Sequence, residues 1–493
     1  MKATPVLFAL TFGICGPVAV GQRPAPPPAS AAHDAGVPDT PAGRRVRALL
    51  ATLESPDEAS VRRFVETQFD SAALAELPAE KRVERIRGMA ATLGRLEWIR
   101  MLPARGGAVS FLARSVKTGE TLTVSLELAG SGVRGIRSMR VEAEGPGEAR
   151  EGSPAEDAKS SDAEVASAAG EWLDRLASAD QFSGVVLLAR NGSPFFQKAY
   201  GFANRELQVP NTLDTRFNVA SIGKLFTSAA IAGLVHDGRL SYSDTVAKWL
   251  PSTKIPSADR ITVAQLLDMT SGLGDIFGPA YSATPKDRIQ ELSDYLALFE
   301  TRPLLFEPGK GREYSNAGYV VLGLIIEKVT GKNYREFVRE AVFLPAGMND
   351  TGLFATDEIT PRRAVGYTRH LGGGSGSSDA RHSNVFLQPG RGSSAGGGFS
   401  TAGDLLKFAM AVKKGALSLA EPGRPPGGRS AAGGFAGGAP GSNALLEYNA
   451  DGSLVAIVLA NEDPPLAVKT GSRLARWMGM KSAGESPTAA RGK

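Results

Sequence analysis

The stretch that most limits the fold is Arg-Phe-Asn-Val-Ala-Ser-Ile-Gly-Lys-Leu-Phe-Thr-Ser-Ala-Ala-Ile-Ala-Gly-Leu-Val-His-Asp-Gly, residues 216–238. From Ile222 to Val235 nearly every residue is apolar or small, so a helix here is hydrophobic all round and belongs inside a domain. Lys224 is the only charge between Arg216 and Asp237. A lone buried ammonium is costly, and burial lowers a lysine's pKa by disfavouring the charged form. Ser221 lies three positions earlier on the same helix face. It stands at a helix N-terminus, whose free backbone N–H groups favour developing negative charge. Serine, lysine and such donors are the parts of an acyl-transfer site: nucleophile, proton acceptor and half of an oxyanion hole. Taken alone the S-x-x-K spacing is a weak signal, because a capping serine followed by a snorkelling lysine looks the same.

At 493 residues the chain is too long for one typical domain, and length allows roughly two to four. An apolar fraction of 42% with 22% charged residues is that of a soluble globular protein. The formal charge of +5 is small for this length and basic residues are scattered among acids, which argues against a nucleic-acid partner. Residues 1–21 carry Lys2, an apolar stretch from Val6 to Val20 and a small-residue site at Ala19-Val20-Gly21. That is the pattern of a cleaved signal peptide, implying a secreted or periplasmic protein. The only cysteine, Cys15, lies inside this stretch, and a lipoprotein anchored through it is the alternative. No other thiol exists for disulfides or metal, and His33, His236, His370 and His382 do not cluster, so no metal or cofactor is expected. No later apolar run reaches the roughly eighteen residues of a transmembrane span.

Residues 22–43 form a Pro/Ala-rich linker. In residues 44–143, the runs Val46 to Leu53, Val61 to Phe69 and Val83 to Leu93 keep helical spacing and predict three helices. After Gly94 the period turns to two, through Val109, Phe111 and Ala113 and again from Leu122 to Leu128, predicting an antiparallel meander. This order resembles a cystatin-like or NTF2-like module in pattern, without a motif, and offers a surface for a homodimer. Residues 144–163 read as an acidic, Gly/Ser-rich linker and 481–493 as a disordered tail. The domain at 164–480 opens with a helix and a hairpin over Asn191-Gly192. It ends with a hairpin over Asn449-Ala450-Asp451-Gly452 and a helix from Leu466 to Trp477. One antiparallel sheet assembled from both ends is expected, with a helical insertion at 220–410 carrying the site. Gly372–Ser378, Gly390–Gly398 and Pro422–Gly441 read as glycine-rich loops lining a cleft.

Further stretches give Ser221 and Lys224 company. They are Ile261-Thr262-Val263-Ala264-Gln265-Leu266-Leu267 leading to Thr270-Ser271-Gly272-Leu273, then Pro308-Gly309 with Tyr314-Ser315-Asn316, then Ala395-Gly396-Gly397-Gly398 with Ser400-Thr401. In order and spacing the domain resembles the serine β-lactamase and penicillin-binding-protein family, in particular its class C β-lactamase and esterase-like branch. The resemblance implies an α+β fold: a β-lactamase/transpeptidase-like domain, its antiparallel sheet flanked by helices and joined to a helical subdomain, preceded here by the small α+β domain. It implies Ser221 as acylated nucleophile, Lys224 as its proton-handling partner, and Tyr314 as the phenol that relays the proton and later activates water. Asn316 would hold a substrate amide and orient Lys224, and the N–H groups of Ser221 and Gly438 would form the oxyanion hole. Lys224 is also expected to lower the Tyr314 pKa from its ordinary value near 10.

One motif departs. The family carries Lys or His, a second residue, then Gly on a strand beside the nucleophile. Here Gly434-Phe435-Ala436-Gly437-Gly438 puts Phe435 at the cation position and Gly437 at the glycine, both lining the substrate site. Nothing there grips a carboxylate. Met269 stands where many relatives have His, and Lys413–Ala432 is short for this branch. The expected protein is an exported serine hydrolase that forms an acyl-enzyme on Ser221 and cleaves a small ester or amide, peptides included, with weak β-lactamase or DD-peptidase activity at most. The alternative is a catalytically degenerate member that binds cell-wall peptide or another partner without turnover. Two look-alikes are set aside: Lys469-Thr470-Gly471 falls in the closing helix, and Gly392-Ser393-Ser394-Ala395-Gly396 has no histidine after it for a G-x-S-x-G triad.

Overall fold

The computed structural model describes residues 37–480 apart from 77, 103–107, 118–120, 129–134, 144–158, 160, 371–376, 421–432 and 450. The leader at 1–21, most of both linkers, the first residues of the 372–378 loop, 421–432 and the tail at 481–493 therefore lie outside the described residues. The chain opens with α1 (Pro41–Glu54), α2 (Glu58–Gln68), α3 (Ser71–Glu76) and α4 (Ala79–Leu93). The periodicity predicts three helices. The additional one, α3, is too short to repeat an apolar face, and its only mark is Asp70, whose carboxylate accepts from Ala73 N at 2.6 Å. β1 (Leu96–Met101), β2 (Ala108–Ser115), β3 (Thr121–Leu128) and β4 (Ile136–Ala143) follow as an antiparallel meander in that order. Leu49, Val65, Phe111 and Val124 share the core between helices and sheet.

The second region begins with α5 (Asp162–Ser178), entered through a capping box of Ser161 and Glu164. β5 (Gly184–Arg190) and β6 (Ser193–Tyr200) form the hairpin over Asn191-Gly192. After them come the helices that matter for the site, α6 (Gly223–His236), α7 (Asn316–Thr330) and α8 (Ala402–Lys413). The chain then returns to the sheet through β7 (Gly433–Ala439), β8 (Ser442–Tyr448) and β9 (Leu454–Ala460) and closes with α9 (Leu466–Trp477).

The sheet runs β7-β8-β9-β5-β6, all antiparallel, and its two halves meet where Ile457 of β9 pairs with Leu187 of β5. β5 is buried on both faces, which is why Gly184-Val185-Val186-Leu187-Leu188-Ala189 is a continuous apolar run. Val186 and Leu188 pack under α5 and α9, whereas Val185 and Leu187 face the core of α6 and α7. The stretch 433–439, part of a segment expected to be loop, is strand. Its glycines carry no side-chain period, and only pairing with β8 defines it. Lys469-Thr470-Gly471 lies in α9, where Gly471 lets the helix close on Leu445 and Val458. Among the described residues no helix is long and apolar enough to cross a membrane.

α6 is locked by an aromatic cluster: Phe226 stands edge-on to Phe343 at 5.0 Å and to Phe408 of α8 at 5.2 Å. At 3% exposure its whole ring is excluded from water. Phe226→Ala is expected to cost about 3–5 kcal/mol of unfolding free energy, read as a fall in the urea midpoint with unchanged slope.

Candidate active site

The nucleophile candidate sits on a short connection held from two sides. Phe217–Asn218 pairs with Phe399–Ser400, Val219 N donates to Gly398 O at 2.9 Å, and Gly397 N donates to Ala220 O at 3.2 Å. Asn218 Oδ1 accepts from Ala220 N at 2.9 Å. Between these ties Ala220 takes φ +44°, a left-handed conformation that costs a non-glycine residue about 1–3 kcal/mol and persists only where the surroundings impose it. Ser221 follows in the single 3-10 turn Ala220–Ile222 that leads into α6. The facing segment can approach because Gly396, at φ +140°, has no side chain; a Cβ there would lie 2.4 Å from Ala220 O.

Lys224, in the first turn of α6, is 6% exposed. Its Nζ lies 2.6 Å from Asn316 Oδ1, 2.6 Å from the Ala395 carbonyl and 3.2 Å from Ser221 Oγ. Burial pushes its pKa down to about 7, and the negative charge of Asp275 works in the opposite direction. In the neutral amine two hydrogens are taken by the two close acceptors, so the lone pair is left for Ser221. Tyr314 donates its hydroxyl hydrogen to Ser221 Oγ at 2.8 Å, which leaves the serine proton to point at that lone pair. Tyr314 is about half exposed, with its hydroxyl engaged on Ser221. Burial raises the Tyr314 pKa and Asp275 adds to the rise, against the lowering by its bond to Ser221. The expected depression by Lys224 does not appear. A lysine with a pKa of about 7 has already lost its charge at the pH where the phenol ionises, so it supplies little positive charge then, although its Nζ stands 4.8 Å from the ring centre.

Asn316 opens α7, and Ser315 before it caps the helix by accepting from Gly318 N at 2.9 Å. Asn316 Oδ1 accepts from Lys224, while its Nδ2 donates to both carboxylate oxygens of Asp275 at 2.9 and 3.1 Å. Both ends of the amide are thus engaged inside the protein, with Lys224 on one side and Asp275 on the other. The Asp275 carboxylate and the Ala395 carbonyl escape sequence reading. Asp275 lies just past Thr270-Ser271-Gly272-Leu273 and a backbone oxygen carries no sequence signal, so only a lone acid in a glycine-rich turn marks the place.

β7 runs beside this group. A Cβ on Gly437 would stand 2.2 Å from Val219 O and 2.9 Å from Ser221 N, so the strand lies directly against Ser221. Ala439 and Ser442 flank the two-residue turn as a hydrogen-bonded pair. By the alternation of an antiparallel ladder, Gly438 therefore points its N–H away from β8, off the open edge of the sheet. Phe435 shares a face with Gly437 and packs, part-buried, against the large core. Met269 supports the Tyr314–Ser315 segment: its carbonyl accepts from Glu313 N at 2.9 Å and its sulfur from Ser315 N at 3.3 Å. Among the described residues no group of His, Cys, Asp and Glu is arranged to hold a metal.

The model of the family described as Beta-lactamase matches residues 171–477, well over half of the chain. Penicillin-binding protein 4* of Bacillus subtilis (strain 168) is 33% identical over 223 residues, 44% of this chain and 46% of that relative. The chain thus spans less than half the length of the curated relatives it matches. Among solved structures, a penicillin binding protein from Bacillus halodurans aligns with TM-score 0.54 at 29% identity, over 61% of this chain and 98% of that one. D-amino acid amidase from Ochrobactrum anthropi SV3, in complex with D-phenylalanine, aligns with TM-score 0.53 at 25% identity, over 64% and 98%.

The close approach of β7 makes a direct test. Gly437→Ala forces the strand from Val219 and Ser221, and is expected to cost about 1–3 kcal/mol by overpacking, measured by urea unfolding.

Proposed function

The chain belongs to the beta-lactamase family, and on that premise we propose that it is an exported serine hydrolase which forms an acyl-enzyme on Ser221 and cleaves a small ester or amide. The observation that carries the proposal is the bonding of Lys224, whose two close acceptors leave its lone pair facing Ser221. Ser221 passes its proton to Lys224 as Oγ attacks the acyl carbonyl. The resulting oxyanion is held by the N–H groups of Ser221 and Gly438. The proton then moves from Lys224 through the Tyr314 hydroxyl to the leaving alcohol or amine, and the C–O or C–N bond breaks. Water takes the leaving group's place, gives its proton back along the same route, and frees the acid and Ser221. A base with pKa about 7 suits this work at neutral pH.

Phe435 supports the choice of substrate class. An apolar ring stands where a cation would bind carboxylate, so plain esters and amides are favoured over β-lactams and D-alanyl peptides. The name of the D-amino acid amidase agrees with amide chemistry in this fold. Export through residues 1–21, the division at 44–143, 144–163 and 164–480, and pairing through the first domain belong to the same proposal and rest on the sequence.

With an activated short-chain ester, kcat/KM should rise with pH through a midpoint of about 7, because only neutral Lys224 accepts the proton. Ser221→Ala should lose both turnover and the covalent adduct seen by intact-protein mass spectrometry. Full residual turnover in that variant would sink the reading, and saturable binding without any adduct in the wild type would favour the non-catalytic alternative. Phe435→His, assayed at pH 6, should shift preference towards carboxylate-bearing substrates by about tenfold, the worth of one charge-assisted hydrogen bond.

A further inference from the structure

We propose that Asp275 is a positioning residue for Ser221 and Lys224, acting through the side-chain amide of Asn316; this rests on the hydrolase reading above. Its backbone is pinned on both sides. Leu305 N donates to Gly272 O at 2.8 Å, Ser315 Oγ donates to Gly274 O at 2.8 Å, and Arg302 Nη1 donates to Asp275 O at 2.9 Å. Gly272 holds φ +81°, and a Cβ there would be 2.2 Å from Phe306 O, so the turn that delivers Asp275 fits only glycine. The loop and the start of α7 are therefore one unit, joined through Ser315, the residue between Tyr314 and Asn316.

A carboxylate only accepts hydrogen bonds, so Asp275 compels Asn316 to turn its NH2 towards it and its Oδ1 towards Lys224. With no acid there, the amide is free to rotate and set a donor against the lysine's donors. Nζ then loses one of the two acceptors that hold its hydrogens, and its lone pair is no longer confined to Ser221. Asp275 also acts by charge. The titratable groups facing Lys224 are Tyr314, Tyr319, with its ring centre 5.5 Å from Nζ, and Asp275. Facing Asp275 are the Lys224 amine beyond Asn316 and the Arg302 guanidinium on its carbonyl, with Phe277 N donating to Oδ1 at 3.3 Å. Of the groups around Lys224, Asp275 is the one that stabilises the ammonium by charge, so removing it lowers the lysine's pKa.

The test is the pH profile of kcat/KM for an activated short-chain ester, measured on the full chain for wild type, Asp275→Asn, Asp275→Glu, Asn316→Ala and the Asp275→Asn/Asn316→Ala double variant. Asp275→Asn should lower kcat/KM about a hundredfold, the cost of a misplaced reacting group, and move the acid limb to lower pH. Asp275→Glu should recover part of both. In the double variant the second change should add less than about twofold, because coupled residues are not additive. A wild-type rate and unmoved limb in Asp275→Asn, or losses that multiply in the double variant, would overturn the proposal. Should Asp275→Asn unfold, Asp275→Ser takes its place in the same comparison. Ser221→Ala separates the two ideas: if it is inactive while Asp275→Asn is unaffected, only the role of Asp275 fails.

Discussion

The burial of the Lys224 ammonium is the constraint on which the site depends. An amine this enclosed is stable only if its hydrogens have acceptors and its charge can be given up, and the fold provides both. The two close acceptors come from separate parts of the chain, the amide at the start of α7 and a carbonyl in the 395–398 run, and Ser221, in the turn before α6, faces the remaining position on Nζ. Each element that holds the lysine thereby also fixes where its lone pair points.

Close approach is the second requirement. The turn carrying Ser221 is squeezed between Gly396 on one side and Gly437 on the other, and Ala220 accepts a left-handed backbone within that gap. The sheet makes this possible because its strands come from both ends of the domain, with β9 beside β5 as the seam. β7, at the edge, keeps one side of its backbone unpaired and carries it past Ser221. Packing energy from α5, α9 and the aromatic cluster on Phe226 thus supports strain that local interactions alone would release.

The edge strand also carries Phe435, beside the glycine that lets the backbone approach Ser221. Phe435 sits in register on β7 and packs against the large core, and it brings an apolar ring and no charge to this face. Scaffold and side chain are separable here: Gly437 provides the close backbone approach, and the residue two positions earlier on the same face decides its polarity. On the hydrolase reading proposed above, such a face favours uncharged acyl groups.

Periodicity and spacing alone determined the all-apolar helix with its single lysine, the Asn191-Gly192 hairpin, the closing helix and a sheet built from both ends, because burial and turn chemistry write themselves into local patterns. Motif order named Ser221, Lys224, Tyr314 and Asn316, and the fold draws all four within hydrogen-bonding reach. Tertiary structure alone decided the rest. Ala395 contributes a carbonyl, which has no letter; Asp275 acts across a gap of 41 residues; β7 is a strand by pairing and not by pattern. The rise of the Tyr314 pKa likewise depends on burial, with Asp275 adding to it, properties of a packed interior that no linear spacing encodes.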